Sequence, residues 1–198
     1  MSEEEKKECS GVTSESTDSE NRILEEPTLP DGAIGFYKIG DEFGVFSNFA
    51  HTPVEIDGHT WFTTEHYYQS WKFNGVDDPA SIRAFQRILT KKSPVEAAKL
   101  GRDKSIPRRP DWKAIKDDGM RVAVACKAMQ HEEMREALLK TGDALIVEKA
   151  ITDDYWGYGP DGNGKNMLGH VLMEVREALK EGRLEQYIKE TRSRLPEN

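Results

Sequence analysis

Residues 63–73 read TTEHYYQSWKF, a stretch in which a glutamate, a glutamine and a lysine stand among four aromatic side chains. With Thr64 as N-cap, Glu65 opens a helix. At 100° per residue, Glu65, Gln69 and Lys72 then fall within about 60° of one another, with Tyr68 on the flank of the same stripe. Two readings are open at this point. In the first, the stripe is a solvated face with polar groups at i, i+4 and i+7, while Tyr67, Trp71 and Phe73 make core. In the second, the stripe faces a ligand. An acid suited to proton transfer or charge stabilisation then lies beside an amine suited to nucleophilic attack.

Two loops carry more special residues than a connection needs. Residues 101–112, GRDKSIPRRPDW, are stiffened by Pro107 and Pro110 and charged by Arg102, Arg108 and Arg109. Asp111 is placed to cap the next helix, and Trp112 follows it, either as a core anchor or as an indole that stacks a nucleobase beside guanidinium groups. Residues 151–169, ITDDYWGYGPDGNGKNMLG, hold four glycines between Gly157 and Gly164 and run into a helix start near Asn166. Glycines let backbone approach a ligand, and free N–H groups at a helix start attract anions. The segment GPDGNGKN matches most of the phosphate-binding pattern GxxxxGK[ST]. It fails where that chemistry is specific, because Asn166 has no hydroxyl to offer Mg²⁺. Asp153, Tyr155, Trp156, Lys165 and Asn166 remain in a loop that a simple turn would not require.

The elements that must position these groups are mostly helical. AIGFYKIG alternates as a short strand, and PVEIDGHTWF sets Asp57-Gly58 between two extended runs, a strong hairpin signal. From Pro79 onward PASIRAFQRILT, SPVEAAKLG, DWKAIKDDGMRVAVACKAMQ, EEMREALLKTG, NMLGHVLMEVREALKEG and LEQYIKETRSRL show helical periodicity with start and stop residues. DALIVEKAI is open between strand and helix. The expected fold class is α+β, predominantly α-helical with a small N-terminal β-hairpin or sheet, in a single domain over residues 31–195.

Composition limits the function classes. The 198 residues carry a net charge of −8. The first thirty hold nine acidic and three basic residues, −6 of that total, with few aliphatics, and read as a disordered acidic tail. A body near −2 has no broad basic surface for a duplex, though the basic residues of 101–109 leave room for a small phosphate site. The two cysteines, Cys9 and Cys126, exclude a disulfide framework and fit a reducing compartment. No signal peptide or long apolar run is present. His51, His59, His66, His131 and His170 form no metal-ligand spacing, so no metal and no cofactor is expected. Cytoplasmic localisation follows, with a nuclear pool also open, without membrane association and as a monomer.

VFSNFAHTPVEIDGHTW, TTEHYYQSWKF, LGRDKSIPRRPDW and DDYWGYGPDGNGKNMLGHVLMEVR recur in this order and spacing in the NADAR proteins, which the body from Phe36 to Leu179 resembles. The resemblance implies a mainly helical fold with a small sheet and N-glycosidase activity. Implied substrates are ADP-ribosylated guanine, in nucleobase or nucleic acid, and, second, the phosphoribosylamino-pyrimidine intermediates of riboflavin synthesis. It carries Glu65, Trp112 and Asp153 over as residues linked to activity, with Lys72 beside them. Ser47, Asn48, Phe49, Trp61, Tyr68 and Gln69 are expected to bind substrate. So are Arg102, Tyr155, Trp156, Gly157, Lys165 and Asn166. Tyr158 departs from the acidic residue of many relatives.

Cleavage of a ribosyl C1–N bond passes through an oxocarbenium-like state that asks for negative charge near C1, a proton for the departing nitrogen and an oriented water. Glu65 and Asp153 are the expected pair. At Glu65, desolvation raises the pKa and the helix start lowers it, so the sequence leaves acid or base open. Lys72 offers a second route, an imine with the open-chain sugar aldehyde. A non-catalytic module that binds ADP-ribose or a nucleotide is the competing class.

Overall fold

The computed structural model describes residues 27–196. Apart from residues 27–30, the acidic tail expected from the sequence lies outside them. Asp57 and Gly58 both take positive φ, 60° and 73°, the backbone that a two-residue hairpin turn demands. They join Val54–Ile56 (β2) to His59–Trp61 (β3) in an antiparallel pair, with Val54 opposite Trp61. A second two-stranded sheet pairs Ile34–Phe36 (β1) in parallel with Ile146–Glu148 (β4), a partner from far along the chain. The segment left open between strand and helix is thus a strand. Tertiary pairing with β1 decided it.

Seven helices follow the hairpin. Thr64–Ser70 (α1) begins one residue before the expected start, because Thr63 is the N-cap and its hydroxyl accepts from the His66 N–H. Pro79–Thr90 (α2) is capped by Asp78 and Pro94–Arg102 (α3) by Ser93, each with proline in its first turn, where the missing N–H costs nothing. Trp112–Gln130 (α4) is the long central helix. Asp111 precedes it without capping it, since its carboxylate binds the Arg109 guanidinium at 2.6 and 3.1 Å instead. Glu132–Lys140 (α5), Met167–Lys180 (α6) and Leu184–Arg192 (α7) complete the order. Among the described residues no helix is long and apolar enough to cross a membrane.

Two apolar clusters share α1 and α4. One joins Phe36, Tyr68, Met120 and Val124 to α5 and α6. The other joins the hairpin, Tyr67, Trp71, Val122 and Ala123 to α2 and α3. Tyr67, Trp71 and Phe73 are buried, as expected of the apolar face of TTEHYYQSWKF, and each stabilises the fold by roughly 1.5–3 kcal/mol. The opposite face of α1 is buried too: Glu65, Gln69 and Lys72 are each at most 7% exposed. A solvated stripe is ruled out, and these groups face something other than bulk water.

Candidate active site

That face of α1 forms one wall of a cleft of about 270 Å³. Glu65, Tyr68, Gln69 and Lys72 line it together with Asn48 and Phe49, from the turn before β2, and Arg102, from the end of α3. Asp153 and Trp156 close the other side. Nine of the residues singled out from the sequence therefore meet in one place.

Each polar group has a distinct setting. Glu65 accepts from Gln69 Nε2 at 2.7 Å, and burial pushes its carboxyl above the usual range against that bond and the charges of Lys72 and Arg102. The competition the sequence left open goes to desolvation. Lys72 Nζ donates to the Gly101 carbonyl at 2.9 Å and lies 5.6 and 5.3 Å from the Tyr68 and Trp112 ring centres. Burial, then the Arg108 charge, pushes the amine down to about 8. At pH 7 about a tenth of it is then neutral and nucleophilic. One Asp153 oxygen accepts from the Tyr155 and Trp156 N–H groups at 2.9 and 2.8 Å, which aims its carboxylate from a loop otherwise built by glycine.

An aromatic shelf runs behind these groups. Trp112, Tyr68, Trp156 and Tyr155 meet edge to face in succession, with ring centres 5.0, 5.4 and 5.3 Å apart. Trp156 Nε1 donates to the Tyr68 hydroxyl at 3.1 Å. Trp112 thus sits behind Lys72 and not on the cleft surface. At the far end of the shelf, Lys116 and Lys165 both stand over the Tyr155 ring, and the Tyr155 hydroxyl donates to Asp117 at 2.7 Å.

The remaining expected residues have structural settings. Trp61 lies in the hairpin core with its indole N–H on the Ile56 carbonyl, away from the cleft. The Ser47 hydroxyl accepts from the Phe49 N–H and shapes the turn that presents Asn48. Gly157 is buried where a Cβ would meet Ala150 Cβ at 2.6 Å. Asn166, left-handed at φ 49°, clamps β4 through the Ile146 carbonyl and the Glu148 N–H at 2.7 and 3.0 Å. Three lining residues went unnoticed in the sequence: Met120, Ala150 and Glu148. Burial, with Asp153 and Glu65 nearby, pushes the Glu148 carboxyl up to about 8. IVE in a three-residue strand has no local signature, and only the pairing of β4 with β1 reveals the position.

A cleft of ionisable groups with shifted proton affinities, backed by indole and phenol rings, has the features of a binding and catalytic site. The NADAR domain profile matches residues 35–180, and the chain belongs to the NADAR family. It is 45% identical over 151 residues to N-glycosidase YbiA of Escherichia coli (strain K12), covering 76% of this chain and 91% of that protein. The NMR structure of the E. coli protein YbiA superposes with a TM-score of 0.69 at 44% identity, covering 81% of this chain and 92% of that one. Riboflavin biosynthesis protein PYRR, chloroplastic, of Zea mays is 41% identical over 155 residues, which are 74% of this chain and 25% of that longer protein.

Proposed function

We propose that the cleft hydrolyses the bond between C1 of a phosphorylated ribose and the nitrogen of a base. The observation that carries this reading is the meeting of Glu65, Lys72 and Asp153, from separate parts of the chain, on one cleft walled by Tyr68 and Trp156. The aromatic wall suits a flat base. The carboxylates suit a carbon that becomes cationic, since fixed negative charge in a site shielded from water stabilises such a state more than it could in solvent. Lys72, partly neutral near pH 7, supports an imine with the opened sugar as a variant of the same cleavage. Arg102 at one end, and Lys116 with Lys165 at the other, support a substrate bearing phosphate.

Two substrates present that ribosyl end. The name of N-glycosidase YbiA supports cleavage of an N-glycosyl bond in general, and that of the maize riboflavin biosynthesis protein supports the phosphoribosylamino-pyrimidine class. ADP-ribosyl guanine, placed first from the sequence, is supported by the lysine pair beyond the cleft, where a second phosphate could lie. Incubating the protein with each compound and following the released amine by chromatography separates them. Release from the pyrimidine at a kcat/KM well above that from ADP-ribosyl guanine is expected, and the reverse ranking would overturn that order. A module that only binds needs the rings and the cations but not Glu65. Turnover and affinity both unchanged in Glu65→Gln would favour it.

A further inference from the structure

We propose that Glu148 is the proton donor of this cleft, protonating the departing nitrogen as the ribosyl C1–N bond breaks. The inference rests on the hydrolase reading above and adds a catalytic residue to it. Glu148 ends β4, where its N–H donates to Asn166 Oδ1 at 3.0 Å and its carbonyl accepts from the Tyr158 N–H at 2.8 Å. Successive strand residues point to opposite faces, so Val147 fills the core at 0% exposure and Glu148 turns to the cleft.

The other two carboxyls of the cleft have protein partners: Glu65 binds Gln69, and Asp153 binds two backbone N–H groups. The Glu148 carboxyl makes no hydrogen bond or ion pair with any described residue, although it lies against both of them electrostatically. A partly buried carboxylate without a partner is costly, and two like-charged neighbours add to the cost, so the neutral acid is the favoured form. Lys72, two residues past the end of α1, and Arg102 at the end of α3 also face the cleft, and neither pairs with Glu148. Burial and the two neighbouring carboxyls together hold the group up to about 8, so it carries its proton at neutral pH. Carboxyls of unlike setting in one site divide acid and base roles in this way.

In the cleavage step the C1–N bond breaks with its electron pair going to nitrogen, the Glu148 proton joins that nitrogen, and the base leaves as a neutral amine. The oxygen of one water bonds to C1, and that water gives a proton to Asp153 or Glu65. Passage of this proton through solvent to Glu148 restores the starting state. The net change is addition of one water.

The test compares the wild-type chain with Glu148→Gln on a series of N-ribosyl arylamine 5-phosphates of graded amine basicity. Turnover by Glu148→Gln at pH 7 is expected to fall by about 10²–10⁴-fold, with ribose 5-phosphate affinity unchanged. The deficit should shrink for the least basic amines, which leave with least need of a proton. Wild-type kcat should decline above about pH 8, and that decline should vanish in the variant. Turnover within roughly threefold of wild type, or a slow variant that keeps the alkaline decline, would overturn the assignment. Should Glu148→Gln not fold, the infrared spectrum of Glu65→Gln, which removes the other raised carboxyl, decides: a protonated-carboxyl band present at pH 7 and lost above about pH 9 is expected, and its absence would overturn the proposal. A wild-type chain inactive on every N-ribosyl compound, with that band present, would instead bring down the hydrolase reading and this role with it.

Discussion

At the residue scale, helical periodicity places Glu65 and Lys72 on one stripe but leaves a solvated face open beside a ligand-facing one, and the burial of both side chains in the fold decides between them. Glu148 was not legible, because its cleft position is created by strand pairing with β1 and by loop residues later in the chain. Opposite pKa shifts make the pH profile informative. Lys72, pushed down to about 8, gains its neutral nucleophilic form as pH rises, while Glu148, pushed up to about 8, loses its proton over the same range. If Lys72 forms an imine, kcat peaks near pH 8 and borohydride traps a sugar adduct on the peptide containing TTEHYYQSWKF. Lys72→Arg then loses adduct and turnover together. If Lys72 only binds, Lys72→Arg retains turnover, and mass spectrometry finds no adduct on any lysine.

At the element scale, helix and hairpin positions were readable from caps and turn residues, whereas the contacts between elements that shape the cleft were not. The end of α3 is one case. A Cβ at Gly101 would lie 1.7 Å from Gln69 Oε1, and the Gly101 carbonyl holds Lys72. Gly101→Ala therefore displaces the amide that binds Glu65. We expect a loss of about 1–3 kcal/mol in denaturant melts and a fall in kcat of at least about tenfold, with a folded far-ultraviolet spectrum. The start of α6 is the other case. Asn166 was expected to touch substrate, yet its side chain holds β4 and with it Glu148. Asn166→Gly keeps the left-handed backbone accessible but removes both bonds. It should therefore lower kcat nearly as far as Asn166→Ala, which adds backbone strain; wild-type kcat in the glycine variant would refute the clamp.

At the scale of the whole molecule, α1 and α4 tie both apolar clusters to the cleft, so stability and site geometry are coupled. Lys127 on α4 shows this: it is 1% exposed, and its Nζ donates to the Val45 and Ser47 carbonyls, holding the turn before Asn48. Burial pushes its amine down from 10.5 to about 7. Between those values the unfolded chain binds a proton that the folded chain lacks, so unfolding free energy rises with pH across that window. Denaturant melts at pH 7 and pH 9.5 should show a smaller rise for Lys127→Met than for wild type. The acidic tail expected over residues 1–30 carries no site chemistry in its sequence, and a chain lacking residues 1–26 is predicted to keep full turnover. Hydrolysis in this cleft is tested by release of free amine from a phosphoribosylamino-pyrimidine and from ADP-ribosyl guanine by the intact chain, beside Glu65→Gln and Asp153→Asn. We predict that the wild type releases the amine and that each variant is slower by about 10²–10⁴-fold while still binding ribose 5-phosphate. Binding without release by the wild type, or undiminished turnover in both variants, would contradict it.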